Sequence, residues 1–375
     1  MFSGISLTLM IGPGVPVPTP REVLGALTRV QITTTTEGPS AFQLTFTLST
    51  KSPLHTLFLL SAGTPIPMVR VIVVVTVNGI SETLIDGVMT NHEVSPATEP
   101  GQATLTVTGE DLTRVMDYVD FSGTPYPGTP PEARVLLILA KYAFLGIVPL
   151  VIPSALIDAP IPTNRIPIQQ GKDLQYIRQL ANEVGYVFYI EPGDVPGMNI
   201  AYWGPEIKIG APQPALNTNM DTHTNVESLT FNFNSESRKL PVILIQNEMT
   251  KVPIPIPVPD ITILNPQLGS ISLIPKAIEL MNETANLSPV RAALVGLAEA
   301  ARSADGVSAT GTLNVLRYGH VLKARRLVGV RGAGPAFDGL YYVKSVTHNI
   351  KRGEYKQNFT LIRNGLISTV PRVIV

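Results

Sequence analysis

The stretch DGLYYVKSVTHNIKRGEYKQNFTLIRNG, residues 338–365, carries the clearest structural pattern in the sequence. Residues 340–350 are rich in the β-branched and aromatic types that strands favour, and residues 354–361 alternate between a mostly apolar and a polar face. Gly353 can adopt the positive φ that a turn between these segments requires. Asp338 and Gly339 are predicted to form the turn that leads into the first segment. The stretch is therefore predicted to be a β-hairpin, and it holds no catalytic group.

The composition of the chain indicates that much of its surface is hidden. Formal net charge is zero across the 375 residues, and only 15% of them are charged, against about a quarter in typical globular proteins. A large core or an obligate oligomer with apolar interfaces explains so few charges, and we favour the oligomer. The balanced charge gives no sign that nucleic acid or an anionic membrane is a partner. The absence of cysteine excludes disulfides and thiolate chemistry.

The first residues, 1–19, are predicted to form an extended arm and not a signal peptide. They lack a basic region, and their apolar run at 5–11 is broken by a Gly-Pro-Gly sequence. The apolar run at 135–151 is interrupted by a lysine and a proline and is too short to span a bilayer. With neither a signal peptide nor a transmembrane segment, the chain is expected to assemble in the cytoplasm.

Strand, helix and turn signals divide the remaining chain into three blocks. Residues 20–118 read as strands, including a long β-branched run that ends in Asn-Gly, and are predicted to form an antiparallel barrel. Residues 119–225 contain amphipathic helices between short strands and are predicted to be α+β. Residues 226–375 return to strands and are predicted to form a second barrel. The predicted fold class is mainly β, with two related antiparallel β-barrel, tube-like domains and an α+β middle region.

The second barrel contains a Pro-rich and helical insertion at about residues 251–306. The segment KVPIPIPVPD, 251–260, has alternating prolines that are expected to forbid a sheet ladder and to favour polyproline II. It would serve as a stiff linker or as a strap that docks on a partner. Residues 277–286 and 289–303 are predicted to be helices.

The first and third blocks share a short internal repeat. In each block an Asp-Gly pair is followed by a strand, a turn containing glycine and a second strand, Leu-Thr-Val at 105–107 and Phe-Thr-Leu at 359–361. The repeat indicates two copies of one barrel, unless it is a chance likeness between two hairpins. The predicted turn positions of the two barrels are Asp86, Gly87, Asp338, Gly339 and Gly353.

No set of residues has the spacing of a catalytic, cofactor or metal site. The five histidines are not spaced as ligands on one element, and the glycine-rich run 329–334 lacks the order of a dinucleotide-binding loop. The chain is therefore predicted not to be an enzyme and to use no cofactor. A local basic patch is either a solvated face or the wall of a polar channel. The candidate channel or interface residues are Lys323, Arg325, Arg326, Arg331, Tyr341 and Tyr342.

Four stretches resemble the tail-hub family of contractile phage tails and related injection machines, the late control protein D family. The same hub forms the N-terminal part of the valine-glycine-repeat (VgrG) spike proteins. The likeness is carried by residues 84–112, 169–189, 225–229 and 318–365, and the last stretch is the most specific. The resemblance extends over residues 20–366 and implies two barrels per chain in a homotrimer.

The resemblance implies a structural baseplate hub. Such a hub is a trimeric, pseudo-sixfold adaptor that joins a hexameric inner tube to a trimeric central spike. The implied partners are further copies of the chain, an inner tube protein, a spike protein that is a separate chain, and other baseplate components, with no nucleic-acid specificity and no membrane insertion. After cytoplasmic assembly the protein would be part of a phage tail-like particle.

Two other functions are weighed against the hub. One is a monomeric β-sandwich module that binds a peptide or a glycan, which predicts a charged surface and no second barrel. The other is a glycan-degrading tail enzyme, which needs two acids facing each other across a cleft. No acid pair in the sequence is arranged in that way.

Overall fold

The structure is a computed structural model that describes residues 4–48, 52, 54, 58, 68–96, 103–154, 166–236, 238–246, 253–258, 265–272, 274–287 and 289–369. The strands are β1 (Ile5–Pro13), β2 (Val17–Pro18), β3 (Leu27–Thr35), β4 (Ala41–Leu48), β5 (Val69–Val77), β6 (Ile80–Ser95), β7 (Ala103–Asp111), β8 (Ile147–Val151), β9 (Val187–Pro192), β10 (Asn199–Gly204), β11 (Gln213–Asn217), β12 (Val226–Phe233), β13 (Lys239–Gln246), β14 (Pro253–Pro257), β15 (Gly269–Ser272), β16 (Ala277–Met281), β17 (Val307–Asn314), β18 (Leu327–Arg331), β19 (Gly339–Lys351), β20 (Glu354–Arg363) and β21 (Gly365–Ser368). The α-helices are α1 (Arg21–Ala26), α2 (Pro131–Ala140), α3 (Asp173–Asn182), α4 (Pro289–Ser303) and α5 (Val315–Tyr318). Short 3₁₀ helices are formed by Leu112–Asp117, Ala143–Leu145, Asp221–His223 and Asn282–Asn286.

The fold is mainly β, as the sequence predicts, and one large sheet joins strands from both ends of the chain. Its order is β12-β17-β20-β19-β3-β4-β7-β6-β5-β1-β2, with β18 and β11 attached beside β19. The predicted hairpin is confirmed as β19 and β20, with Gly353 at a φ of 85° in its turn. The ladder between β19 and β3 links the third block of the sequence to the first.

The N-terminal arm forms a strand of this sheet. β1 pairs with β5 along its whole length, from Ile5↔Val77 to Pro13↔Val69. β5 is flanked by β1 and β6, and all of its residues except Thr76 are buried. Because both of its faces are covered, β5 reads as a continuous β-branched run and not as an alternating one.

The middle of the chain is α+β, as predicted. β8, β10 and β9 form a three-stranded sheet. The apolar side of α3, including Ile177 and Leu180, shares a core with Trp203 of β10. Gly185 lies just beyond α3 with a φ of 69°, where its lack of a side chain lets the chain turn into β9. Within the described ranges, no helix has the length and apolarity needed to cross a membrane.

The alternating prolines at 253–257 do not prevent a ladder, so the polyproline II prediction is wrong. β14 is an antiparallel edge strand on β13, with Ile254 opposite Ile245 and Ile256 opposite Ile243. Successive residues of a strand point their N–H groups to opposite sides. The backbone N–H groups of Ile254 and Ile256 therefore point to β13. The proline nitrogens, which carry no hydrogen, face the open edge of the strand.

The predicted helix at 277–286 is also wrong, whereas the helix at 289–303 is confirmed as α4. Residues 277–281 form β16, which pairs in parallel with β13, and residues 282–286 form a 3₁₀ helix. The neighbouring strand supplies hydrogen-bond partners that override a weak local helix propensity. α4 buries Ala292 and Ala300 against Ile243 and Val258, which gives the insertion a small core of its own.

Candidate assembly interface

The two ends of the large sheet repeat the same arrangement of strands. The order β3-β4-β7-β6-β5 in the first block corresponds to β12-β17-β20-β19-β18 in the third. Both copies skip one residue at the same two places in their ladders. Thr28 of β3 corresponds to Glu227 of β12, and Thr90 of β6 corresponds to Lys344 of β19. Matching topology and matching bulges show a structural repeat that is larger than the sequence repeat.

The structural repeat has a different register from the sequence repeat. Thr108 lies opposite Asn91 immediately after the first bulge, and Thr360 lies opposite Ser345 immediately after the second. Thr108 therefore corresponds to Thr360, whereas the sequence comparison aligned Thr106 with it. The two Asp-Gly pairs do not occupy equivalent positions.

Asp86 and Gly87 lie inside β6 and not in a turn, so their predicted role is corrected. The Asp86 carboxylate is buried and accepts hydrogen bonds from Arg70 and from Asn199 Nδ2, the latter at 2.8 Å. A Cβ atom at Gly87 would lie 2.2 Å from the carbonyl oxygen of Glu110 on the paired strand. Asp-Gly is common in turns, but in β6 the aspartate belongs to a buried ion pair and the glycine allows a close approach of two strands.

The other predicted turn residues lie at the ends of the final hairpin. The Asp338 carboxylate accepts a hydrogen bond from the Ala333 backbone N–H at 2.8 Å, within the loop that precedes β19. Gly339 is the first residue of β19 and has a φ of 127°. Gly353 lies in the turn between the two strands.

Three of the candidate channel residues are buried in the core of the chain, so the expectation that their side chains line a channel is wrong. Tyr341 is 0% exposed, Tyr342 is 3% exposed and Arg325 is 7% exposed. The Arg325 guanidinium lies 4.1 Å from the centre of the Tyr189 ring and donates a hydrogen bond to the Thr35 carbonyl. Burial raises the pKa of the Tyr342 hydroxyl above its ordinary value, as expected for a phenol removed from water.

The remaining candidates, Lys323, Arg326 and Arg331, are exposed, but they do not act together. Lys323 Nζ lies 2.6 Å from Glu82 of the first block, and Arg326 Nη2 lies 3.6 Å from Glu191 of the middle block. These two ion pairs connect blocks of one chain. Because they are partly exposed, each contributes little stability.

The seam between the two repeats inside the chain is a regular antiparallel ladder. β19 and β3 pair from Ser345↔Thr35 to Lys351↔Arg29. Thr33 Oγ1 and Thr347 Oγ1 lie 3.0 Å apart across the seam. On the core side of the ladder, Ile32 is 0% exposed and His348 is 4% exposed. One face of the seam is therefore polar and the other is fully covered.

At the outer ends of the repeat, the strands that correspond to β19 and β3 are β6 and β12. Among the described residues, each of them has one edge without a partner strand. After Thr90, β6 pairs only with β7, and β12 pairs only with β17. Val94, which corresponds to His348, is 39% exposed. Phe233 of β12 is 40% exposed. Two sheet edges with exposed apolar side chains thus occur where the internal repeat predicts a second seam.

Hydroxyl and amide side chains cover one face of the sheet. One row of opposed residues consists of Thr230, Thr310, Thr360, Ser345 and Thr35. A parallel row consists of Asn349, Gln31, Gln43, Thr108 and Asn91. The same face also carries charged side chains: Lys356 is ion-paired with Glu227 and Glu354, and the next row of opposed residues includes Lys351, Arg29 and Glu93.

Two buried carboxylates, those of Asp111 and Asp305, have partners within the fold. The Asp111 carboxylate accepts hydrogen bonds from Ser40 N and Thr113 N, and burial raises its pKa. Lys208 Nζ lies 2.6 Å from Asp305 in a second buried pair. In the part of the chain that the structure describes, no group of three or more histidine, cysteine, aspartate or glutamate residues could hold a metal ion.

Solved structures with the same fold include tail proteins. A tail protein from Neisseria meningitidis superimposes with a TM-score of 0.64 at 15% identity, over 97% of this chain and 98% of that chain. The 43 kDa tail protein of prophage MuSo2 from Shewanella oneidensis gives a TM-score of 0.60 at 17% identity, over 96% and 98%. No protein-family model and no curated protein sequence matches the chain.

The fold also occurs in secretion machinery. An E. coli protein described as a component of the type VI secretion system, with structural similarity to bacteriophage tail proteins, gives a TM-score of 0.51 at 13% identity. The match covers 93% of this chain and 77% of that chain. The chain thus has the fold of phage-tail and type VI tail-like proteins, and the resemblance noted in the sequence is confirmed at the level of the fold.

Proposed function

We propose that the protein is a structural hub of a phage tail-like injection machine, a ring of three chains that connects an inner tube to a central spike. The observation that carries the proposal is the pair of unpaired, mutually corresponding edges on β6 and β12. The seam inside the chain shows what such an edge pair builds when it is joined. Repeating that seam between chains adds two sheet repeats per copy, and three copies supply six.

The internal seam supplies a specific register for the contact between chains. Applying the pairing of β19 with β3 to β6 and the partner's β12 places Glu93 opposite Asn232 and Val94 opposite Phe231. The N–H of Asn234, which follows Phe233, donates to the Gly306 carbonyl on the β17 side. Because backbone groups alternate along a strand, Phe233 and Phe231 direct their N–H groups to the open edge. The contact would bury the exposed apolar side chains of both edges and continue the hydrogen-bonded ladder.

The polar face of the sheet would line the opening of the ring. Its hydroxyl and amide rows are hydrated and uncharged, so these positions give a passing polymer neither a fixed counter-charge nor an aromatic stacking surface. The charged row with Arg29 and Lys351 lies beside them on the same face. The channel lining would thus consist of residues such as Thr310, Gln43 and Thr108, in place of the basic patch that the sequence suggested.

The proposed partners of the ring are an inner tube protein above it, a spike protein below it and other baseplate components around it. The likeness to phage-tail and type VI proteins supports this set of partners. Two barrel domains per chain, at 20–118 and 226–375 around an α+β domain at 119–225, are part of the proposal.

A pair of introduced cysteines tests the contact directly, because the chain has none of its own. Glu93→Cys with Asn232→Cys should form disulfides between chains on mild oxidation and yield a covalent species of three chains. Thr33→Cys with Thr347→Cys is the matched control across the internal seam. This pair should form a disulfide within one chain, so the covalent species should keep the mass of a single chain. Glu93→Cys with Thr312→Cys, one strand away from the edge, should not cross-link.

Native mass by light scattering gives an independent measurement. The ring should have a mass of about 121 kDa, three times the 40.3 kDa of the chain, measured alone and with a candidate spike protein. Phe233→Pro removes an N–H that faces the open edge and should reduce the mass to that of one chain without disturbing the β12–β17 ladder. A native protein that stays monomeric in both measurements would contradict the hub and favour the monomeric binding module.

A further inference from the structure

A groove of about 580 Å³ lies at the end of the first repeat, away from both edges used in the ring. One wall is Gly4 and the start of β1, residues 5–7, and the opposite wall is formed by Leu24 and the start of β3. Its floor is apolar, with Ile5 and Leu27 both buried to 8% exposure. The groove is therefore a long apolar depression beside a strand.

The β1 wall has an open backbone edge. Gly4 accepts a hydrogen bond from Asn78 N on the β5 side, and Leu9 accepts one from Thr19 N on the opposite side. Backbone groups alternate in direction along a strand. The N–H and C=O groups of Ile5 and Leu7 therefore point away from β5 and into the groove. β2 pairs with β1 only at Met10 and Ile11. Among the described residues, no strand takes up the N–H and C=O groups of Ile5 and Leu7.

Three basic side chains, Arg29, Lys351 and Arg352, form the opposite rim of the groove. All three residues are exposed. Arg29 donates to Gln31 Oε1 at 2.9 Å and Arg352 donates to the Gly25 carbonyl, so both side chains are held at the rim by neutral partners. Within the described ranges none of the three forms an ion pair, and no acidic residue lines the groove. The rim therefore favours a negatively charged occupant.

We propose that this groove binds an extended acidic segment of another protein by strand addition to β1. The segment continues the sheet beyond β1 along the line already begun by β2, and its backbone pairs with Ile5 and Leu7. Every second side chain is apolar and enters the groove, while the alternate side chains are acidic and meet the basic rim. Backbone pairing supplies the affinity, and the floor and rim select the sequence.

A fluorescein-labelled peptide of alternating valine and glutamate is the probe, and fluorescence anisotropy with the full chain is the measurement. The peptide should bind, and one of alternating valine and lysine should bind at least about tenfold more weakly. Lys351→Glu with Arg352→Glu should weaken binding of the glutamate peptide by a similar factor. Arg302→Glu, at an exposed position on α4, is the matched control and should leave the affinity unchanged.

Leu7→Pro separates strand addition from simple charge attraction. It removes the N–H that faces the groove but leaves the β1–β5 ladder intact, so binding should be lost while the urea midpoint is retained. Leu7→Val keeps the N–H and should keep binding. Equal binding of both peptides, or native binding by Leu7→Pro, would overturn the proposal. A lower native mass of Leu7→Pro would also overturn it, because the edge would then be occupied by another copy of this chain.

Discussion

Arg70 and Asp86 are joined by two hydrogen bonds, Nε to Oδ1 at 2.7 Å and Nη2 to Oδ2 at 2.6 Å, and neither side chain is more than 4% exposed. Arg70 also donates to the carbonyl oxygens of Leu145 and Gly197 in the middle block. Asn199 of the middle block donates to the same carboxylate. The pair therefore fixes the orientation of the α+β block on the first set of strands.

Removing one partner of this pair should be costly. Asp86→Ala leaves the Arg70 guanidinium buried and without its counter-ion, and we expect the free energy of unfolding to fall by about 3–5 kcal/mol. Urea denaturation followed by far-UV circular dichroism measures the change. Glu279→Ala, which breaks the exposed pair with Lys239, should cost no more than about 1 kcal/mol. Equal losses for the two variants would show that the buried pair contributes no more than a surface one.

His348 should make the stability of the protein sensitive to mild acid. Burial lowers its pKa to about 3, while the unfolded chain binds the proton near pH 6.5. The stability that the neutral imidazole contributes is complete above about pH 6.5 and is lost as pH falls toward 3. By pH 5 the free energy of unfolding should have fallen by about 2 kcal/mol. Urea midpoints at about pH 7.5 and pH 5 measure it.

His348→Gln provides the comparison for this pH effect. The variant keeps a polar side chain near Tyr355 Oη, which lies 2.8 Å from the imidazole Nδ1, but it cannot titrate. It should lose less stability than the native chain between the two pH values, even if it begins less stable. Parallel pH profiles for both proteins would assign the acid sensitivity to other groups.

Gly109 should not tolerate a methyl group. A Cβ atom there would lie 2.2 Å from the Val88 carbonyl oxygen and 2.3 Å from the Phe42 ring. Since both neighbours are held in the sheet, Gly109→Ala should destabilise the protein by about 1–3 kcal/mol. Gly25→Ala is the control, because nothing lies within 4 Å of a Cβ in that position of α1. It should be neutral or slightly stabilising in the same urea measurement.

The lack of a side chain at Gly185 should be needed for close packing of α4 and for the protection of its amides from hydrogen exchange. A Cβ atom at Gly185 would lie 2.6 Å from the Leu294 carbonyl oxygen and 2.8 Å from the Ala298 Cβ on that helix. Gly185→Ala should therefore speed amide hydrogen exchange in α4 more than in the β19–β20 hairpin. Gly123→Ala has a similarly positive φ but an open surrounding, and it should leave exchange in α4 unchanged. Uniform acceleration in both regions would indicate global destabilisation instead.

The parts of the fold that the sequence predicted are those in which local pattern and tertiary environment agree. The β19–β20 hairpin alternates because one face of its sheet is buried and the other is wet. α3 places Ile177 and Leu180 at helical spacing because a single side of it meets the core. In both cases the period of the apolar residues follows from which side is covered.

The parts that the sequence did not predict depend on partners distant along the chain. β14 forms despite its prolines because β13 offers a ladder on the one side where the isoleucines point. Asp86 is a buried ion-pair residue because Arg70 lies beside it across a strand pair. The open edges of β6 and β12 could not be predicted from the sequence either, because an edge is defined by the absence of a partner strand on one side. Only the three-dimensional repeat identified them.

The two proposed ring edges are different surfaces, and this affects how assembly can end. Each added copy satisfies one edge and presents the other, so growth stops only when the turn per copy brings the last edge back to the first. A small change in sheet twist would displace that meeting point and convert a closed ring into an open helical filament. In the proposed ring, the bulges at Thr90 of β6 and Glu227 of β12, which increase the local twist of the two edge strands, would set where that meeting point falls.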